Sequence, residues 1–204
     1  LKKKYIYFNN LQKKNSLLLK KIIIQIIFIL FQNNSYSNNM ILDQLKNPNL
    51  TNQLQKWTFI TDQVMGGAST GKFEVEEIEG KLCYRMTGNV STENNGGFIQ
   101  IRSMLNPEIN SNDYTGVYLK VYGNNKKYNL HLRTGLNLAP WQYYGFTFYS
   151  KNSWSIIKAP FYKFNKSNFY QPKSILGQKI KSIGLVAGFD NFVSDICLGE
   201  IGFY

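Results

Sequence analysis

The sequence predicts an all-β domain built as a sandwich or barrel of short strands. Beyond residue 55, nearly every segment alternates apolar and polar side chains with a period of two, and Gly, Pro, Asn, Asp or Ser bounds each segment. No strand–helix–strand alternation and no repeat of about 20 to 50 residues interrupts this pattern. The chain has 204 residues, which is enough for one domain of this class with a sizeable core.

Ten strands are expected in order along the domain, which we assign to residues 56–204. Alternate aromatic and β-branched residues place one face of each strand against a core. We interpret residues 38–55, which contain Pro48, as an extended or short helical lead-in. The expected strands are Trp57–Thr61, Phe73–Ile78, Lys81–Gly88, Gly97–Met104, Gly116–Tyr122, Lys127–Thr134, Tyr143–Tyr149, Trp154–Lys158, Ile180–Ala187 and Ile196–Phe203.

Residues 1–37 have the composition of a signal segment. Lys20 and Lys21 precede the apolar stretch Ile22–Phe31, which is shorter than the roughly 20 residues that a membrane-spanning helix needs. Ser35 and Ser37 provide small residues for cleavage. We therefore expect export to the periplasm or the exterior, with membrane contact only through this leader. Mitochondrial import is the alternative, although the leader contains no Arg, and an uncleaved membrane anchor is a third.

The positive charge does not predict a nucleic-acid partner. The formal net charge is +12, but residues 1–40 hold seven lysines and no acid, and the remainder holds seventeen basic and twelve acidic residues. A moderately basic domain needs no nucleic acid to explain it. Cys83 and Cys197 are too few for a metal cluster, so we expect no metal and no cofactor. The two cysteines are either a disulfide, which an oxidising compartment permits, or two buried thiols.

A glycine-rich loop follows the first expected strand of the domain. Glycine adopts backbone angles that other residues reach only with strain, and Asp and Ser close turns through bonds to the backbone. No Lys-Ser/Thr pair follows the glycines, and a strand rather than a helix comes next, so the loop does not match a phosphate-binding loop. We predict a structural role for Asp62, Gly66, Gly67, Ser69 and Gly71.

This loop is one of a series of motifs with a specific order and spacing. The series comprises Trp57, Asp62–Gly71, Gly88–Val90, Asn95–Phe98, Arg102, Tyr114–Gly116, Tyr122–Asn124, Tyr128, Arg133, Pro140–Gln142 and Pro160–Phe161. With these motifs, roughly residues 41 to 204 resemble the complex I intermediate-associated protein 30 family. The resemblance implies a galactose-binding-like jelly roll, a role in assembling respiratory complex I, and no established catalytic activity.

A polar strip is expected on one face of a central strand. Alternation puts Asn129, His131 and Arg133 on the same side, and it also puts Gln100 and Arg102 together on a neighbouring strand. One interpretation is a ligand-binding strip on the concave side of the jelly roll, a face that the resemblance makes a candidate.

The alternative interpretation makes the same strip structural. Arg102 and Arg133 would then pair with acids such as Asp62 and Asp113 and hold loops against the sandwich, because bidentate Arg–carboxylate pairs are common structural devices. His131 would be a surface or hydrogen-bonded residue.

Pro140–Gln142 marks a loop that enters a strand, and it adds further binding candidates. Trp141 at this loop either contacts a partner or a sugar, or covers the end of the core. Tyr143 and Tyr144 must point to opposite faces of their strand, and we assign Tyr144, with Trp141 and Gln142, to the hypothetical binding set. No regular row of exposed aromatic residues accompanies them in the sequence, which favours a protein partner over a sugar.

The sequence therefore predicts a non-catalytic protein-binding or assembly module, similar to a respiratory complex I assembly factor. Its partner would be a protein, such as an assembly intermediate. An exported carbohydrate-binding module of the same fold is the alternative. Catalysis is the least favoured class, because His131 is the only histidine and no Gly-x-Ser-x-Gly motif accompanies it. Export and respiratory assembly conflict, since the extramembrane arm of that complex lies in the cytoplasm or matrix.

Overall fold

Two antiparallel sheets of six strands each form a jelly-roll sandwich in the computed structural model, which describes residues 39–204 and positions 20, 21 and 25. The first sheet contains β1 (Met40–Asp43), β3 (Thr70–Ile78), β4 (Lys81–Val90), β6 (Gly116–Gly123), β9 (Ser155–Pro160) and β12 (Phe192–Phe203). The second contains β2 (Trp57–Thr61), β5 (Phe98–Asn110), β7 (Lys127–Thr134), β8 (Tyr144–Tyr149), β10 (Asn165–Lys166) and β11 (Lys179–Gly188).

The longest strand of each sheet, β12 in the first and β5 in the second, has a neighbouring strand on both sides. The first sheet runs β3-β4-β12-β6-β9, with β1 also paired to β12, and the second runs β10-β8-β7-β11-β5-β2. Alternate residues of the central strands fill the space between the sheets, such as Ile183 and Leu185 of β11 and Ile196 and Leu198 of β12. Each large aliphatic side chain buried in this way contributes about 1.5–3 kcal/mol. The residues between them in sequence point outward, and those of β11 line the candidate binding cleft described below.

The leader prediction falls outside the described residues. The chain divides into a unit of residues 1–37 and a unit of residues 38–204, and the cleavage site at Ser35 and Ser37 belongs to the first. Export therefore stays a prediction. In the part of the chain that the structure describes, no helix has the length and apolar character needed to cross a membrane.

All ten predicted strands are present, and two further strands were not predicted. β1 belongs to the segment that we interpreted as a lead-in, yet it pairs with the last strand, Met40 opposite Phe203. β1 has only four residues and ends in an acid, so its sequence shows no clear alternation of apolar and polar side chains. β10 has only two residues, too few to show alternation.

Asp43 explains why the lead-in belongs to the sandwich. Its buried carboxylate accepts hydrogen bonds from Trp57 Nε1 (2.7 Å), Tyr84 Oη (3.0 Å) and the backbone N–H of Leu45 (2.7 Å). Trp57 lies in the second sheet and Tyr84 in the first, so one carboxylate ties the two layers together. A buried carboxylate requires such donors, because an unpaired buried charge is very costly.

The outward face of the first sheet carries paired charges and a disulfide. Cys83 of β4 and Cys197 of β12 are bonded, with their Cα atoms 5.5 Å apart, which resolves the two alternatives left by the sequence. Beside them, the Arg85 guanidinium donates to both carboxylate oxygens of Asp195 (2.9 and 2.8 Å) and to Glu76 (2.7 Å). These contacts raise the pKa of Arg85, so its charge is well compensated.

Candidate binding cleft

A cleft of about 660 Å³ opens on the outward, concave face of the second sheet. Its floor comes from alternate residues of β5, β7 and β11, and loops before β3, before β5 and before β8 form its walls. A volume of this size is in the range of small-molecule and oligosaccharide sites, about 300–1,000 Å³. The cleft is the natural place to look for a ligand in residues 39–204.

The floor of the cleft is deep because β11 places small residues there. Gly184 lies opposite Arg102 of β5 on one side and opposite His131 of β7 on the other. A Cβ at Gly184 would lie 3.3 Å from Gln100 Oε1, so a larger side chain would fill this space. Ser182, next along the same face, lies opposite Arg133. The predicted strip is therefore split by a groove, with arginines on both sides.

The structure does not pair Arg102 and Arg133 with acids, so the ion-pair interpretation of the strip is wrong. Among residues 39–204, neither arginine forms an ion pair, and the carboxylate of Asp62 is occupied by other donors. Arg133 Nη2 instead donates to the backbone carbonyls of Ala139 (2.8 Å) and Asn137 (3.4 Å). Its buried Nε–H has no acceptor in the described structure.

The two arginines also act on each other. Burial, followed by the nearby charge of Arg102, lowers the pKa of Arg133. An arginine side chain nevertheless keeps its charge at any physiological pH. The cleft therefore holds two positive charges that lie close enough to repel each other, and none of the described residues that line it is Asp or Glu.

His131 forms a stacked pair with Tyr143 on the cleft wall. The ring centroids are 3.7 Å apart, and the planes differ by 12°. Gly145 lies opposite His131 in β8, and a Cβ there would lie 3.2 Å from the Tyr143 ring, so the glycine makes room for the stack. Burial lowers the pKa of His131 to about 3. The imidazole is thus neutral at physiological pH and adds no charge to the cleft.

Three aromatic rings line the cleft. Trp141 is 64% exposed and Phe189 is 52% exposed, and both line the cleft together with Tyr143. Phe189 also contacts His131, with ring centroids 6.0 Å apart. The sequence did not predict this set of rings, because Phe189 is far from Trp141 along the chain. Phe189 is therefore an exposed aromatic residue of this face that the sequence did not associate with Trp141.

Tyr144 and Gln142, which we assigned to the binding set, have other roles. Tyr144 is fully buried, its hydroxyl donates to Pro172 O (2.9 Å), and it accepts from Gln178 Nε2 (2.8 Å). Tyr143 is the neighbour that faces the cleft, because consecutive strand residues point to opposite sides. Gln142 Oε1 accepts from the backbone N–H groups of Leu138 (2.8 Å) and Ala139 (3.1 Å), and it thereby closes the loop that presents Trp141.

A second loop supports the Trp141–Tyr143 segment from behind. Ser167 Oγ donates to Trp141 O (3.1 Å) and accepts from the Tyr143 N–H (2.9 Å). The buried Gln171 donates from Nε2 to Tyr143 O (3.0 Å) and accepts from Ser167 Oγ (3.0 Å). Sequence analysis missed both residues, since polar loop residues have no pattern that distinguishes a support from ordinary surface. These hydrogen bonds hold the backbone of the segment that carries Trp141 and Tyr143.

The glycine-rich loop forms the opposite wall and is organised by Asp62. The buried carboxylate accepts from Ser69 Oγ (2.6 Å), Ser69 N (2.9 Å), Gly97 N (2.5 Å) and Phe98 N (3.2 Å). Burial raises the pKa of Asp62, but these hydrogen bonds outweigh it and the net pKa is lowered. The loop after β2 is thus joined to the loop before β5, and Val64 and Met65 are left exposed at the rim.

The loop glycines fit this arrangement for different reasons. Gly66 has a φ of +86°, a conformation that favours glycine. A Cβ at Gly67 would lie 2.3 Å from Asp62 Cγ, and a Cβ at Gly71 would lie 2.5 Å from Thr87 O. These close approaches and the left-handed backbone give the prediction of a structural role a physical basis, and substitution at these positions is its test. In residues 39–204, no group of three or more His, Cys, Asp or Glu side chains is arranged to hold a metal ion.

The fold and motifs match known proteins. The family model of Complex I intermediate-associated protein 30 (CIA30) matches residues 44–198, which confirms the resemblance seen in the motifs. The chain is also similar to the Family 11 carbohydrate-binding module of the cellulosomal cellulase Lic26A-Cel5E of Clostridium thermocellum, with a TM-score of 0.63 and 14% identity over 83% of this chain and 95% of that one.

The Family 11 module from Clostridium thermocellum in complex with a β-1,3-1,4-mixed-linked tetrasaccharide gives the same TM-score of 0.63 and 14% identity, covering 83% of this chain and 96% of that one. At this identity the likeness shows a shared fold alone. Among curated protein sequences, none matches the chain.

Proposed function

This chain belongs to the complex I intermediate-associated protein 30 family, and we propose that it is a non-catalytic module that binds an oligosaccharide in the cleft. One observation carries the proposal: Trp141, Tyr143 and Phe189 line a cleft whose floor carries polar side chains. Aromatic surfaces with a few placed polar groups are typical of ligand sites. This family and carbohydrate-binding modules are non-catalytic kinds of protein, which supports binding rather than catalysis.

The geometry of the cleft favours a sugar over a flat protein interface. A chain of pyranose rings is narrow enough to lie in a groove, and each ring has an apolar face that packs on an aromatic side chain. Donors from Gln100, Arg102 and Ser182 lie on the floor beneath such a chain. A module with a similar fold, the Family 11 module, is known in complex with a mixed-linked tetrasaccharide, and that precedent supports an oligosaccharide as the ligand proposed here.

The test is binding of the full chain to an array of oligosaccharides, followed by calorimetry on any that bind. We expect Trp141→Ala to weaken binding about tenfold or more, because a few buried aromatic contacts dominate such sites. Tyr149→Ala is the matched control, since Tyr149 is 67% exposed on β8 but does not line the cleft. A full-chain protein that binds no oligosaccharide on the array would refute this function.

A protein partner is the second candidate ligand, and exposed apolar side chains at the rim of the cleft favour it. Val64 and Met65 are 73% and 63% exposed at the rim of the wall opposite Trp141 and Tyr143, and exposed apolar patches mark protein-binding sites. With the family membership, this supports a role as an assembly factor for respiratory complex I. Capture of complex I subunits from native membranes by the tagged chain, and their loss in Val64→Asp, would support it. Capture that is unchanged in Val64→Asp would argue against this rim.

Export of the mature protein stays a proposal. The disulfide between Cys83 and Cys197 supports an oxidising compartment, where such bonds persist. Mass spectrometry of the mature N-terminus provides the test, and we expect the chain to begin near residue 38. Recovery of an intact leader from mitochondria or cytosol would contradict export.

A further inference from the structure

We infer that the ligand of the cleft is an acidic oligosaccharide, whose sugar carboxylate binds between Arg102 and Arg133; this inference rests on the proposed function. The first support is the position of the two arginines. They lie on either side of β11, opposite Gly184 and Ser182 respectively. β5 and β7 are two strand spacings apart, or about 10 Å. The residues of β11 that lie between them, Ser182 and Gly184, are small and line the cleft.

The second support is the lack of compensation for these charges. Both arginines are without an ion pair among residues 39–204, and the buried Nε–H of Arg133 has no acceptor there. A buried donor without an acceptor is unfavourable, and two like charges that repel each other add to this. A single carboxylate placed between them would accept from both guanidinium groups and would offset their mutual repulsion. The planar guanidinium group matches a carboxylate in two-point hydrogen bonds.

The third support is that the positive charges and the aromatic wall are connected. Arg133 Nη2 donates to Ala139 O, two residues before Trp141 in the loop that presents the indole. The positive group and the ring-binding surface therefore belong to one rigid unit. A sugar that carries a carboxylate on its own ring can pack on the aromatic wall and reach the arginines at the same time. His131 is neutral at physiological pH because burial lowers its pKa to about 3, so the two arginines alone set the charge of the floor.

The experiment compares acidic and neutral forms of the same sugars. Tetrasaccharides of galacturonate, glucuronate, mannuronate and guluronate are titrated into the full chain, each beside its carboxyl-methyl ester, with a sulfated tetrasaccharide as a further arm. We expect at least one uronate to bind about tenfold or more tightly than its ester, and we expect this difference to shrink as salt rises. Arg102→Gln should abolish the difference. Arg85→Gln, on the other sheet, is the matched control and should retain it.

Arg102 is the preferred variant because no hydrogen bond of its side chain supports the fold in the described structure, and a thermal melt checks that the variant is folded. Equal binding of uronates and esters overturns the acidic ligand but leaves the proposed function standing. Binding to none of the acidic or neutral sugars overturns both. Preference for the sulfated tetrasaccharide over every uronate overturns the carboxylate assignment, and so does an unchanged preference in Arg102→Gln.

Discussion

The outward faces of the two sheets use arginine in opposite ways. On the first sheet, Arg85 lies between two carboxylates, Asp195 and Glu76, within hydrogen-bonding distance of both. On the second sheet, Arg102 and Arg133 lie in a cleft whose described lining residues include no acid. A compensated charge stabilises the fold, whereas an uncompensated one is a cost to the folded chain that a ligand can remove. The comparison separates a face whose charges are compensated from the face that we propose binds a ligand.

The largest effect is expected from the disulfide of the first face. The double variant Cys83→Ala/Cys197→Ala should lower the free energy of unfolding by about 4 kcal/mol, because the bond closes a loop of 114 residues. Urea denaturation measures it, and binding in the cleft should be unchanged at low temperature. If reduced and oxidised wild-type protein unfold at the same urea concentration, the disulfide does not stabilise the first face.

The next effect tests the wall of the cleft. Gly67→Val should lower the free energy of unfolding by about 3 kcal/mol, because its Cβ would overlap the carboxyl carbon of Asp62 and displace the hydrogen bonds that join the two loops. Gly66→Val should cost about 1–2 kcal/mol from its left-handed backbone alone. Gly80→Val is a control on the first sheet with the same type of backbone and open space. Equal losses at positions 67 and 80 would show that the wall is loosely packed.

A pH titration tests the second face alone, since His131 is the only histidine in the chain. Its folded-state pKa is lowered to about 3, and an unfolded histidine titrates near 6.5. Above about pH 6.5, His131 is neutral in both the folded and the unfolded state, and the free energy of unfolding has its full value. Below it the unfolded state binds a proton and the folded state does not, so the free energy of unfolding falls by up to about 1.4 kcal/mol per pH unit until about pH 3.

Denaturation of the wild type at pH 7, 6 and 5 measures this slope before most carboxylates titrate. We expect a loss of about 2 kcal/mol by pH 5. His131→Phe keeps an aromatic ring in the stack without a titrating group, and it should flatten the curve. The same slope in that variant would place the titrating group elsewhere.

The smallest changes in stability are expected from the arginines, and they sharpen the comparison most directly. Arg85→Gln should lower the free energy of unfolding by about 1 kcal/mol, because the pair is partly exposed and solvent weakens it. Arg133→Gln should change it by less than about 0.5 kcal/mol, since lost bonds to the Trp141 loop are offset by relief of repulsion from Arg102. Binding should follow the reverse order, with a loss in Arg133→Gln only. Thermal melts and calorimetry on both variants measure the two quantities, and a large stability loss in Arg133→Gln with intact binding would make that arginine structural.

The local alternation of apolar and polar residues determined where the strands lie and which residues of the polar strip share a face. The alternation in Lys127–Thr134 places His131 and Arg133 on one side whatever the rest of the chain does, because successive strand residues point to opposite faces. The glycine loop was recognisable for a similar reason, since the backbone angle of Gly66 is a local property. The loop and the motifs that follow it predicted the family, and the family-model match over residues 44–198 confirms that prediction.

Tertiary structure alone decided which groups meet. Asp62 was a candidate partner for the arginines, but the fold brings the backbone of Gly97 and Phe98 to it instead. Tyr143 rather than Tyr144 faces the cleft, because alternation predicts opposite faces but not which face is buried. Phe189 and Trp141 line the same cleft, and nothing in the sequence indicates that two residues so far apart along the chain do so. Sequence by itself sets the direction of each side chain relative to its neighbours; which partner it reaches, and whether its charge is compensated, depends on strands distant in sequence packing side by side.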